Sequence, residues 1–75
     1  EGESAESLGL RGWANYKAGN LEKAQTDLEA ALALARTRAE KGKLHHHLYR
    51  TFESLGGTAQ AEEHRKAAEE LGYKP

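Results

Sequence analysis

Two stretches of this chain stop on glycine and restart in the same manner: Gly19-Asn20-Leu21-Glu22-Lys23-Ala24 and, 37 positions later, Gly56-Gly57-Thr58-Ala59-Gln60-Ala61. A helical pattern that is punctuated by glycine and renewed at this spacing restricts the chain to helix-turn-helix units stacked side by side, an α-solenoid, because each unit has an apolar face that only a neighbour can cover. Stacked units of this kind offer surfaces to other proteins more readily than they assemble reaction centres.

Seventy-five residues provide for one domain, 1–75, near the size at which a single core becomes thin. The chain contains neither Val nor Ile, and its apolar content is mostly Ala and Leu, so closely packed helices are expected and a sheet is not. Eleven basic and twelve acidic residues alternate along the sequence, leaving no basic stripe for a phosphate backbone. Nucleic acid is therefore not an expected partner. No apolar run reaches the length of a membrane span, so no membrane partner is expected either. With no Cys, disulfides, thiolate metal sites and cysteine nucleophiles are all excluded; this does not fix the compartment, and a cytoplasmic setting is the working expectation. The lack of any Met, position 1 included, reads as a processed, trimmed or engineered piece of a longer protein.

The periodicity predicts an all-α fold of four helices. Ser4 caps the first, over about 5–18, which carries Leu8, Leu10, Trp13, Ala14 and Tyr16 and ends on Gly19. Gly12 lies inside it, at a cost of about 1 kcal/mol relative to Ala, and is expected to let another backbone approach. Asn20 caps the second helix, where Leu21, Ala24, Leu28, Ala31, Leu32 and Ala35 recur at threes and fours, opposite a solvated face of Glu22, Lys23, Asp27 and Glu29. A turn is expected over 38–42. The third helix presents Leu44, Leu48, Phe52 and Leu55, with His45 and Tyr49 beside them, and stops at Gly56-Gly57. Thr58 caps the fourth, whose inner face of Ala61, His64, Ala68 and Leu71 is poor in bulk, as suits the end of a stack.

The run from Leu10 to Ala24, with Gly12, Tyr16, Ala18, Gly19 and Leu21 in order and Leu28 and Ala31 after it, resembles a tetratricopeptide repeat. In that family a small residue of helix A, here Gly12, meets a small residue of helix B, here Ala24, and a later Ala, here Ala31, admits the next helix. Leu48, Tyr49, Phe52, Gly56, Ala61, Ala68 and Leu71 form a second, similar copy. The chain departs from the pattern at Asn15, Arg36, Tyr49 and Arg65, and its 37-residue spacing exceeds the usual repeat of about 34. The resemblance implies repeats over about 5–38 and 39–72, a tail at 73–75, and a concave surface that holds a peptide or a partner's helix. That groove would be lined by Glu6, Gly9, Trp13, Tyr16 and Lys17, then Lys43, His46, Arg50 and Glu53. Chaperone-binding members grip a terminal carboxylate with Lys and Asn at the positions here held by Gly9 and Trp13; that clamp is not present.

Within this set, Trp13 and Tyr16 combine broad apolar surfaces with polar handles, and Lys43, His46 and Arg50 form a cationic series suited to an acidic side chain or a carboxylate. Trp13 is equally suited to filling the seam between helices. Three consecutive histidines, His45 to His47, point about 100° apart on a helix and do not converge on one ion unless His64 or a second chain joins them, so no metal site and no cofactor are expected. Glu62-Glu63 and Glu69-Glu70 are adjacent rather than opposed, and Gly56-Gly57 lacks a phosphate-loop signature, so no catalytic residue is expected. The sequence thus reads as a non-catalytic protein-binding module. A self-associating scaffold unit is the first alternative and a histidine-mediated, metal-dependent assembly the second.

Overall fold

The computed structural model describes residues 2–75, and among them every regular element is helical: α1 (Ala5–Lys17), α2 (Leu21–Leu34), α3 (Arg38–Leu55) and α4 (Thr58–Glu70). Helix α1 packs along α2 and α3 along α4, while α2 and α1 both touch α3. The three-residue link from Lys17 to Leu21 turns α2 back along α1, and the link from Leu55 to Thr58 does the same for α4 on α3.

The glycine stops share one hydrogen-bond pattern. Gly19, Gly56 and Gly72 have φ of 87°, 86° and 82°, a region that side chains with a Cβ avoid. Around each, two amides fold back onto the preceding turn. Gly19 N–H bonds to Tyr16 O at 3.0 Å and Asn20 N–H to Asn15 O at 2.8 Å. Gly56 to Glu53 and Gly57 to Phe52 repeat this pair, as do Gly72 to Glu69 and Tyr73 to Ala68. These bonds satisfy carbonyls that a helix end leaves free.

Helix starts differ from the sequence reading at three places. Ser4 caps α1 as expected, exchanging bonds with Ser7. Asn20 occupies the cap position of α2, but its side chain bonds no backbone amide there; at α4 the cap is Gly57, and Thr58 is already helical. The turn expected over 38–42 is instead confined to 35–37. Thr37 accepts from Glu40 N–H at 3.0 Å while the Glu40 carboxylate accepts from Thr37 N–H at 3.3 Å and Arg36 N–H at 2.8 Å. This reciprocal capping box starts α3 at Arg38 and draws Gly42 into the helix.

Leu8, Leu28, Ala31, Leu44, Leu48, Phe52 and Ala61 form the core, with Leu32, Ala35 and Tyr49 packed against it. Leu55 and Leu34 do not join it; both remain exposed at helix ends. Gly12 is where α1 approaches α2 most closely: a Cβ there would lie 2.8 Å from Leu28 Cγ and 3.2 Å from Asp27 Cβ. The expected close approach therefore exists, but against Leu28 and Asp27 rather than Ala24.

Asp27 is not on a solvated face. Only 8% exposed, it receives Arg11 Nε at 3.0 Å and a second Arg11 nitrogen at 2.9 Å, together with Asn15 Nδ2 at 3.0 Å. Hydrogen bonding from Arg11, opposed by burial and aided by that residue's charge, holds the Asp27 carboxyl below its usual range. Asn15, an outlier in the repeat pattern, is thus the second partner of a buried carboxylate, and Arg65, another outlier, pairs with Glu62 and Glu69 along its own helix.

Candidate functional site

Helices α1 and α3 line a groove, and the residue of α1 that meets α3 at its base is a glycine. A Cβ on Gly9 would stand 3.2 Å from Leu44 Cδ2, so Gly9 and Leu44 form a floor with no side chain rising from the α1 side. From α1 the walls are Ala5, Glu6, Leu10 and Trp13; from α3 they are Glu40, Lys43 and His47. The space enclosed is about 420 Å³, within the range of sites that hold a small ligand or a few side chains. The helical period sets this lining, since Glu40, Lys43, Leu44 and His47 occupy one face of α3 once that helix starts at Arg38.

The floor is apolar and the rim carries charge of both signs. Leu10 is 63% exposed at the edge of the groove, unusual for a leucine on a helix whose inner face is otherwise well buried. Glu6 and Lys43 are exposed on opposite walls, and Glu40 is held in place by the capping box.

Three rings form a column at one end of the groove. Trp13 stacks on Tyr16 with centroids 4.6 Å apart and on His47 at 3.9 Å, both nearly parallel, while Lys17 Nζ lies 5.8 Å from the Trp13 ring centre. Trp13 therefore serves as both seam and wall: it ties α1 to α3 and lines the groove. His47 is 7% exposed, and its Nδ1 is buried without a hydrogen-bond partner in the chain. Burial, reinforced by the charge of Lys43, neighbouring His46 and Lys17, pushes its pKa down to about 4, so the ring is neutral at pH 7.

The nine residues named from the sequence separate into three groups. Glu6, Gly9, Trp13 and Lys43 line the groove together. Tyr16 and Lys17 adjoin it through Trp13. His46, Arg50 and Glu53 are not among its lining residues: His46 packs near Tyr49 and Tyr73, with centroids at 5.7 Å and 5.2 Å, and Arg50 pairs with Glu53 at 3.4 Å. The position expected of His46 is filled by His47, one residue on and 100° around the helix. Leu10, Glu40, Leu44 and His47 were not named as groove residues. The Thr37–Glu40 capping box is the sequence signal that places Glu40 on α3, whereas Leu44 and His47 enter the lining through the packing of α3 on α1.

Elsewhere, His45 and His64 meet across α3 and α4, their Nδ1 atoms 2.8 Å apart. Among the described residues, no group of three or more His, Asp or Glu side chains converges as a metal site, and no helix is long and apolar enough to cross a membrane. Comparison with known proteins gave no matching family model, no matching curated protein and no matching solved structure.

Proposed function

We propose that this chain is a two-repeat, tetratricopeptide-like module without chemistry of its own, which binds a segment of a partner protein in the groove between α1 and α3. The observation that carries this reading is the groove itself: an apolar floor where Gly9 meets Leu44, an exposed Leu10 at its edge, and exposed Glu6 and Lys43 on opposite walls. Exposed apolar surface rimmed by charge matches the anatomy of protein recognition sites, where an apolar side chain is buried and polar contacts at the rim fix its orientation. The ring column supports the same reading, since it pre-orders the wall and lowers the entropy lost on binding.

Titration of a peptide library against the intrinsic fluorescence of Trp13, the single tryptophan, is the direct test. Leu10→Glu and Lys43→Glu alter the groove at exposed positions and are expected to weaken any selected peptide at least about tenfold while leaving the melting temperature within about 2 °C of wild type. Selected peptides that bind both variants as well as wild type would place recognition elsewhere. Trp13→Ala is unsuitable as the deciding variant because the ring also joins α1 to α3.

A specific observation supports self-association as a second reading. Leu34 is 47% exposed and Leu55 37%, both outside the groove. Sedimentation equilibrium over a wide concentration range separates the two: a dimer reversed by Leu34→Glu or Leu55→Glu supports a scaffold role, and a monomer throughout removes it.

A further inference from the structure

We propose that His45 of α3 and His64 of α4 form a two-imidazole clip that binds one late first-row divalent cation across the seam of the second hairpin, copper(II) most tightly. The two Nδ1 atoms stand 2.8 Å apart on different helices, in a part-buried position. Two nitrogen ligands about 2.0 Å from one ion and about 90° apart are separated by about 2.8 Å, the spacing of neighbouring positions in a tetragonal site. Imidazole is a preferred ligand of copper(II), nickel(II) and zinc(II), and affinity for such a site rises to its maximum at copper(II).

His64 stacks against Phe52 with centroids 5.6 Å apart and planes 6° from parallel. Burial holds the His64 pKa below its ordinary value, against the opposing charges of Glu29 from α2 and Glu63 from α4, so the ring favours its neutral, ligating form. No third side chain converges on the pair among the described residues, so water completes the coordination and the ion exchanges readily.

In the ion-free protein, one neutral imidazole donates its Nδ1 proton to the other Nδ1. On binding, each ring turns about its Cβ–Cγ bond so that both Nδ1 lone pairs meet at the ion. The proton is lost from Nδ1 to solvent and regained from solvent at Nε2 of the same ring. Both imidazoles stay neutral, and no net proton is released.

Because the ligands come from two helices, the site exists only in the folded chain, and the ion stabilises the fold. Copper(II) chloride titrated into the protein in a non-coordinating buffer at pH 7.5 is expected to bind one ion per chain, without dimerisation in the ultracentrifuge. The melting temperature is expected to rise by at least about 5 °C at saturating ion. His45→Ala and His64→Ala each weaken binding at least about tenfold, whereas His46→Ala, whose ring packs near Tyr49 and Tyr73, does not. Equal losses from all three variants, or retained affinity in His64→Ala, would assign the ion to the histidine run alone and overturn the clip. An ion bound by two chains would overturn it as well. A readout free of mutation is the nitrogen-15 imidazole spectrum with zinc(II) chloride: the Nδ1 resonances of His45 and His64 are expected to shift together, and a shift confined to Nε2 atoms or to His46 and His47 contradicts the proposal.

Discussion

The two hairpins follow the same path and close on different chemistry. Between α1 and α2 the seam is a bare glycine against Leu28, flanked by a carboxylate that takes three hydrogen bonds from Arg11 and Asn15. Between α3 and α4 the seam is built from rings, His45 on His64 and His64 on Phe52, with small, buried Ala61 and Ala68 on the α4 side. The glycine stops are nearly superimposable in φ and hydrogen bonding, so the hairpin geometry is set at the ends of the helices. What fills the seam is then free to differ, and with it the conditions each hairpin tolerates.

The largest expected effect comes from the first seam. Gly12→Val places branched carbons where Leu28 Cγ already lies 2.8 Å from an ideal Cβ, and Leu28 is fully buried with nowhere to retreat. A loss of about 2–3 kcal/mol in urea unfolding is expected, enough to threaten folding in a domain this small. A loss below about 0.5 kcal/mol would show that α1 and α2 slide freely and that Gly12 does not set their distance.

Acid next separates the buried histidines of α3 and α4 from the carboxylate of the first seam. His45, His47 and His64 all have pKa values lowered first of all by burial, that of His47 to about 4 from an ordinary 6.5. The unfolded chain takes up protons below about pH 6.5 that these folded rings refuse, so stability is full above that value and falls as pH drops toward 4. Asp27 behaves otherwise. Its folded pKa is held below 3.8, chiefly by the Arg11 hydrogen bonds, so its contribution is present above 3.8 and lost only as pH falls through the lower folded value. Urea midpoints measured from pH 8 to pH 3 are expected to be level down to about pH 7 and then to decline, and His47→Asn is expected to flatten the slope between 6.5 and 4. A midpoint unchanged down to pH 4 would mean that the histidines titrate alike in both states and that the two seams do not differ in acid sensitivity.

A smaller effect is expected where the hairpins join. Thr37→Ala removes the side-chain half of the capping box at the start of α3 and is expected to cost about 1 kcal/mol. Because that box closes the first turn of α3, the variant is expected to broaden the amide resonances from Arg38 to Lys43 more than those beyond Phe52. Uniform broadening along α3 would show that the box does not act on the first turn alone.

The sequence made the helices legible because glycine stops and an unbroken 3.6-residue apolar period act locally. The start of α3 was hidden by composition: the polar run from Arg36 to Lys43 resembles a loop until Thr37 and Glu40 are paired at the spacing of a capping box. His46 was named for a different reason, by carrying the family's groove position 37 residues on from Gly9, whereas His47 is the histidine that lines the groove. Asp27 was hidden for a different reason, since a carboxylate in an acidic run reads as solvated unless its partners are known, and Arg11 and Asn15 are 16 and 12 residues away. The groove was partly legible because the family resemblance carries Glu6, Gly9, Trp13 and Lys43 to its walls, whereas Leu44 and His47 entered it only through the packing of α3. The His45–His64 pair could be named only as a condition, because adjacency across two helices is a property of the fold.

The smallest expected effect is the sharpest test of what a buried glycine means in each hairpin. Gly42 lies inside α3 and, like Gly12, leaves no apparent room: an added Cβ would come within 2.9 Å of Tyr73 Cβ. The neighbour, however, is different in kind. Leu28 is fully buried in a helix, whereas Tyr73 follows the Gly72 stop and is tied to α4 by the bond from its N–H to Ala68 O. Gly42→Ala also gains about 1 kcal/mol of helix propensity that offsets the displaced contact. Its net effect on stability is therefore expected to be a loss below about 1 kcal/mol, with Tyr73 displaced from His46 and a change in the ring resonances of both residues. A loss as large as that of Gly12→Val would show that the segment after Gly72 is an integral part of the second hairpin and that its seam extends past α4.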